Sequence, residues 1–342
     1  MNENTALVIT SISEPNSVLT TIAQESIRHE ADFILIGDEA SPPVFNLEGC
    51  RFFSLTSQKE LPFQLAKICP EKHYCRKNIG YLLAIQSQAS IIIETDDDNM
   101  PQKSFWANRS RQQTVPVASD TGWLNVYAYF SQQNIWPRGL PLDKIHADRP
   151  SLDSLGVRAV SCPIQQGLAD GDPDVDAIYR LVLPLPLTFA PDVRVALSEG
   201  SWCPFNSQNT AWWPECYPLL YLPAYCSFRM TDIWRSFVAQ AIAWANGWSV
   251  LFHEATVFQE RNEHNLMKDF SQEVPGYLGN TEIADLLQDL PLQPGIENII
   301  NNMRLAYTTL IKASFLEDKE LVLLEAWFED LKSLGWPSDV FD

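Results

Sequence analysis

The chain is poor in positive charge. Its 342 residues hold 24 Lys and Arg against 43 Asp and Glu, a formal charge of −19 at pH 7. Such a balance disfavours a nucleic-acid backbone or an anionic membrane surface as the main partner, and no nucleic-acid partner is expected. Long apolar runs are missing too. The most apolar stretch, residues 181–190, is interrupted by Pro184 and Pro186, and nothing approaches the ~18 residues of a membrane span. The seven cysteines include no CxxC pair, which suits reduced structural thiols in a cytoplasmic setting. The sequence opens without a basic segment and apolar run of signal-peptide type, so no secretory leader is expected. A glycine-rich phosphate loop, a GxSxG elbow and an HExxH helix are likewise absent, as are internal repeats. Hydrophobic content is nevertheless 46%, enough to exclude disorder and to fill a large core. An acidic protein that handles an anion must then bring a metal ion or gather its few cations locally.

The first hundred residues alternate apolar runs with helical periodicity, the pattern of a parallel α/β sheet. Strands are expected at 6–12, 33–36, 52–55 and 90–93, with helices at 17–28 and 77–86. The middle is loop-rich and aromatic, with short strands expected at 126–130 and 177–183. A helix should start at Thr231, and a strand should span 248–252, just before His253. From residue 281 onward the pattern is helical, over 281–290, 295–316 and 318–334. The expected class is α/β, with a mainly parallel central sheet and a C-terminal helical appendage.

One cluster carries chemistry. The β-branched run at 90–93 leads directly into Glu94-Thr95-Asp96-Asp97-Asp98-Asn99. Ligand sites in open α/β sheets lie at the carboxyl ends of strands, and crowded like charges are costly without a cation. Asp96 and Asp98 share a facing if the strand geometry continues, so both can approach one ion. Hard oxygen donors suit Mg²⁺ or Mn²⁺, with a nucleoside diphosphate completing the shell. The alternative is a solvated acidic turn.

Extended motifs surround this cluster. The segments Cys75-Arg76-Lys77-Asn78-Ile79-Gly80-Tyr81 and Ile93-Glu94-Thr95-Asp96-Asp97-Asp98-Asn99 resemble the STELLO family of glycosyltransferases. So do Gly37-Asp38 with Ser41-Pro42, residues 166–177, residues 204–210, residues 231–236, and Phe252-His253 with Gln259-Glu260-Arg261-Asn262. The resemblance runs from about residue 6 to 290, and more distantly the sequence is similar to reversibly glycosylated polypeptides and UDP-arabinopyranose mutases. It implies a GT-A-type, Rossmann-like glycosyltransferase domain over 1–290. Residues 1–100 would bind the nucleotide-sugar, 101–290 the sugar and acceptor, and 291–342 would form the helical appendage. Plant members of the family are Golgi membrane proteins with an N-terminal anchor, which this sequence does not show. Expected placement is cytoplasmic, with a membrane-bound acceptor as one option.

The resemblance implies a metal-dependent transfer from a nucleotide-sugar, UDP-linked and inverting, to a glycan or other hydroxyl acceptor. Asp96 and Asp98 would hold Mn²⁺ or Mg²⁺, with Asp97 beside the phosphates and His253 as a third ligand. Without the resemblance, His253 reads as a structural histidine, and His73 and His264 are weaker ligand candidates. Arg76, Lys77 and Asn78 would either pair with phosphate or hold Asp96 in place. Asp38, Thr10 and Ser11 would line the nucleoside pocket, although Asp38 also suits a plain turn.

The run Asp170, Asp172, Asp174 and Asp176 fails as an EF-hand, because Val175 and Leu181 stand where glycine and glutamate are required. It reads instead as a sugar-pocket loop or a solvated acidic loop. Asn206, Gln208 and Asn209 offer neutral groups for sugar hydroxyls, and Trp234 and Arg235 follow Asp232 on its helix. Asp232 itself is either the general base that deprotonates the acceptor or a helix cap, and the two roles are compatible. The competing functions are a UDP-sugar mutase and a non-catalytic nucleotide-sugar-binding scaffold.

Overall fold

The computed structural model of the chain describes residues 1–260 and 265–337. Its first half forms as the hydrophobic pattern dictates. Thr5–Thr10 and Ile91–Thr95 lie side by side, buried on both faces, which is why both read as continuous apolar runs. Asp32–Ile36 and Arg51–Phe53 continue this parallel set outward. The helices Ser17–Arg28 and Lys77–Gln86 cover opposite faces, within two separate core clusters. Gly80 sets how close the second helix comes. A Cβ there would lie 2.5 Å from Val8 Cγ1, so the helix backbone presses directly on the sheet.

Beyond Ile91–Thr95 the expected mainly parallel sheet gives way to a mixed one. Asn209–Trp212 runs antiparallel to both Ile91–Thr95 and Ile164–Gly171. Val250–Gln259 then pairs parallel with Ile164–Gly171 and antiparallel with Arg194–Leu197. Gln112–Ala118 and Val157–Ser161 finish the far edge, while Asn99–Pro101 pairs with the end of Val250–Gln259. An antiparallel neighbour leaves the hydrophobic pattern of a buried strand unchanged, so sequence pattern alone could not reveal the reversal.

Three other expectations are corrected. Residues 126–130 and 177–183 are not strands but carry short helices, Tyr127–Phe130 and Ala177–Val182. In the second, the Asp176 side chain accepts the Tyr179 N–H at 2.7 Å, an N-cap that commits the segment to helix. The helix expected at 281–290 spans Leu266–Gln288, with Pro275 inside it.

The C-terminal helices Ile299–Lys312 and Glu320–Ser333 place Tyr307, Leu310, Trp327, Phe328 and Leu331 in the larger core cluster. Two carboxylates tie them to the rest of the chain. Asp330 accepts the N–H groups of Gln64 and Leu65, both at 2.8 Å, at the first turn of Gln64–Ile68. Fully buried Glu320 accepts the Tyr221 hydroxyl and the N–H groups of Ala224 (3.0 Å) and Tyr225 (2.7 Å). Glu320→Ala strands these donors without water, so we expect a loss of about 2–4 kcal/mol in urea unfolding. A loss below about 1 kcal/mol would mean that the carboxylate is not needed to dock the helix.

Candidate functional site

The carboxyl ends of Thr5–Thr10, Asp32–Ile36 and Ile91–Thr95 open into one cavity of about 880 Å³, within the range of small-molecule sites. Its lining includes Thr10, Ser11, Asp38, His73, Tyr74 and Phe228, the carboxylates Asp96, Asp97 and Asp98, and Arg138, Asp174, Ser207, Gln208, Arg229, Asp232 and Gln259.

The carboxylates are held individually. Asp97 accepts the Ser11 hydroxyl, and its carbonyl accepts the Asn16 side chain at 2.9 Å. Asp96 accepts from Lys77 (3.1 Å) and the Tyr74 hydroxyl (3.2 Å), and Asp98 accepts from Gln259 at 3.1 Å. Burial pushes the Asp98 carboxyl up to about 7, with the Asp96 charge adding to the effect. Asp96 is also raised by burial, against the pull of Lys77.

Lys77 settles one of the open alternatives. Its ammonium is fully buried and donates to Thr95 O (2.8 Å), Tyr74 Oη (2.8 Å), Asp96 (3.1 Å) and Ser207 O (3.1 Å). Three protons shared among four acceptors leave little for a phosphate, so Lys77 positions Asp96. Arg76 lines the cavity wall, but its guanidinium donates to Gln58 Oε1 (2.9 and 2.6 Å) and Cys69 O (3.0 Å). Gln58 in turn donates to Gly37 O and Phe53 O at 2.8 Å, fixing two strand ends. Asn78 exchanges two hydrogen bonds with the Leu222 backbone at 2.9 and 2.8 Å, away from the cavity. Asp38 does reach it, with its carboxylate oriented by the N–H groups of His73 (3.0 Å) and Glu39 (2.7 Å).

Other expected residues separate. His253 lies six positions before Gln259 on the same strand, roughly 20 Å from the carboxylates at strand rise. It pairs with Gly167 and Arg194, and burial, with Arg109 nearby, lowers its ring to about 4. The structure therefore corrects its place as a third ligand. The strand runs to Gln259 rather than ending at residue 252, so the end that reaches the cavity lies seven residues further on. His264, Arg261 and Asn262 lie outside the described residues.

Only Asp174 of the acidic run faces the cavity. Asp170 accepts from Gln102 (3.1 Å) and Phe189 N (2.9 Å), Asp172 pairs with Arg180, and Asp176 is the helix cap that also accepts Trp136 Nε1 at 2.6 Å. Gln208 reaches the cavity and donates to Gln259 at 2.6 Å, whereas Asn206 and Asn209 are spent on buried strand contacts. Trp234 donates to Asn280 at 2.8 Å within the core. Arg235 is buried against Glu94 at 2.8 Å and stacks over Trp212 at 4.9 Å. Neither meets the cavity.

Asp232 does face it, at the first turn of the helix Thr231–Ala245. Its partner went unnoticed in the sequence. Arg138 donates Nη1 and Nη2 to the two Asp232 oxygens at 3.1 and 2.8 Å, and Nε and Nη2 to those of Asp174 at 2.7 and 2.8 Å. Burial alone would raise the Asp232 carboxyl, but the Arg138 guanidinium prevails and holds it near 2. Gly139 lets the Arg138 loop run against this helix: its φ is +89°, and a Cβ would lie 2.5 Å from Ile233 Cγ2. An isolated Arg-Gly in a loop-rich stretch has no periodicity to give it away. Ser207 and Gln259 lie within segments that the motif pattern marks, but nothing in the sequence singles them out, or Tyr74, as cavity residues.

Among the described residues, no group of three or more His, Cys, Asp or Glu side chains converges as a metal cage, and no helix is long and apolar enough to cross a membrane.

Comparison with known proteins agrees with the motif pattern. The family model for STELLO glycosyltransferases matches residues 229–340. The Arabidopsis thaliana protein described as "Probable glycosyltransferase STELLO2" is 28% identical over 327 residues, covering 89% of this chain and 42% of the relative. "Probable glycosyltransferase STELLO1" from the same plant is 27% identical over 326 residues, covering 89% and 41%. The chain thus spans about two fifths of the length of these relatives. A solved mycobacterial protein aligns over 81% of this chain and 74% of its own at 10% identity, with a TM-score of 0.39, too slight a likeness to argue from. With relatives matching along most of its length and an α/β fold whose carboxylates gather at strand ends, the chain is STELLO-like, akin to a family of glycosyltransferases.

Proposed function

We propose that the cavity takes a nucleotide-sugar together with Mn²⁺ or Mg²⁺ and transfers the sugar to a hydroxyl acceptor. The observation that carries this reading is the strand end Asp96–Asp98. Two half-buried carboxylates there resist ionisation, as acids awaiting a cation would. The donor set fits a hard divalent ion, with Asp96 and Asp98 as protein ligands and phosphate oxygens or water as the rest. When bound, such an ion supplies Lewis-acid stabilisation to a departing diphosphate.

The chain's own residues would do the remainder. Thr10, Ser11 and the loop fixed by Asp38 form the nucleoside end, where His73 and Phe228, with ring centroids 5.5 Å apart, offer an aromatic wall. Lys77 and Tyr74 keep Asp96 aimed into the cavity. Gln208, Gln259 and Asp174 present hydrogen-bonding groups at the sugar end. The acceptor oxygen attacks the anomeric carbon, the bond to the diphosphate breaks, and the acceptor proton passes to Asp232. This step inverts the anomeric centre. UDP is the favoured carrier on the family resemblance.

A thermal-shift screen of nucleotide-sugars, with Mn²⁺ and with EDTA, tests the reading. One donor should protect only in the presence of metal, by about 2.7 kcal/mol at a hundredfold excess over Kd. No protection by any nucleotide-sugar would overturn it. Conversion of UDP-arabinopyranose to its furanose form without an acceptor would point to a mutase instead.

A further inference from the structure

We propose that Arg138 is a positioning residue: by bridging Asp174 and Asp232 it fixes the Asp232 carboxylate in the orientation from which it takes the acceptor proton. This rests on the role given to Asp232 above.

The geometry is specific. A guanidinium has five N–H donors in one plane, and here four of them are divided between two carboxylates on different elements. Asp174 comes from the loop after Ile164–Gly171, and Asp232 from the first turn of Thr231–Ala245. Arg138 also donates to the carbonyl of Arg229, the residue that leads into that helix. A Lys ammonium cannot hold both carboxylates edge-on, so the arrangement calls for arginine.

The bridge leaves one net negative charge, with Asp232 also receiving Ser207 N at 3.3 Å and Ser207 Oγ at 3.4 Å. Among the described residues, the other charged or titratable groups acting on Asp232 include Arg229, Arg235, Asp96, Tyr74 and Cys226. Of these only the two arginines favour its charge, and both are committed, to Glu273 (3.0 Å) and Glu94 (2.8 Å). Arg138 is thus the cation in direct contact. A carboxylate gripped at both oxygens is a weak base. For Asp232 to take a proton, one Arg138 bond must lengthen as the acceptor hydroxyl arrives. The latch keeps the base charged and aimed, and its partial release accompanies transfer.

The test compares Arg138→Lys with the double variant Arg138→Gln/Asp174→Asn, which keeps the net charge of the cluster and so protects against simple misfolding. The probe is UDP release from UDP-glucose with Mn²⁺, alongside ¹³C NMR titration of the Asp232 carboxyl, assigned with Asp232→Asn. Both variants should remain folded, with kcat down at least about tenfold and KM for UDP-glucose within about threefold, as for loss of an interaction made only in the transition state. In the double variant the Asp232 titration should move up by at least about one pH unit. Unchanged kcat, a rise in KM alone, or an unmoved Asp232 titration would each overturn the assignment. If the wild-type chain binds no nucleotide-sugar, the functional reading falls, and the NMR titration still decides whether Arg138 governs Asp232.

Discussion

Arg235→Met is expected to cost about 3–5 kcal/mol of folding stability, because it leaves the charge of Glu94 buried without a counter-ion. Glu94 is fully buried in the strand Ile91–Thr95, and Arg235 is equally buried in the helix that packs on it. Their ion pair is 2.8 Å long, and Glu94 also accepts from the Tyr81 hydroxyl and from Trp212 Nε1 at 2.9 Å. This network joins the parallel half to the second half directly beneath the carboxylates at 96–98. Removing one member is worse than removing both, since a neutral pair has no charge left to solvate. The double variant Arg235→Met/Glu94→Gln should therefore recover much of the loss in urea unfolding. A different result would restore Arg235 to the substrate: a stably folded Arg235→Met that has lost nucleotide-sugar binding.

That the sequence suggests Arg235 as a ligand contact shows where sequence patterns stop. The parallel strands and two long helices of the first hundred residues are legible from their apolar runs and periodicity, whereas the short helices Leu55–Lys59 and Gln64–Ile68 are not. Ser17–Arg28 and Lys77–Gln86 have the bounds expected. The carboxylate strand end was legible for a related reason: a parallel strand has one end where ligands gather, and three acids, Asp96 to Asp98, follow it at once.

What was not legible depends on partners distant in sequence. Arg76, Lys77 and Arg235 look like ligand cations until their acceptors are known, and those acceptors come from Gln58, Ser207 and Glu94. The acidic run at 170–176 looks like one loop with one purpose. Its four carboxylates instead serve a loop contact, an ion pair, the Arg138 bridge and a helix cap. His253 is displaced by strand length, since the strand continues through Thr256, Val257 and Phe258 to Gln259.

Asp98→Asn should show that the acids at the strand end are a burden on the metal-free protein and a requirement for its chemistry. On activity, the variant loses one of two proposed cation ligands. Several kcal/mol of Lewis-acid stabilisation correspond to a fall of roughly 100-fold or more in donor turnover. On stability the sign is opposite. The folded-state carboxyl titrates at about 7 against an ordinary aspartate value of 3.8. Between those values the folded state binds more protons than the unfolded state, so wild-type stability falls as pH rises through that window. Asparagine carries no such charge, and its carbonyl can still accept from Gln259. In EDTA, Asp98→Asn should match the wild type near pH 4 and melt a few degrees higher near pH 8. Mn²⁺ with a bound donor should then raise the wild type and leave the variant where it was, reversing their order. If the variant melts no higher than wild type at alkaline pH without metal, Asp98 is not a strained charge. The cavity wall would then be a solvated acidic turn, and the case for a cation at Asp96 and Asp98 would lose its physical basis.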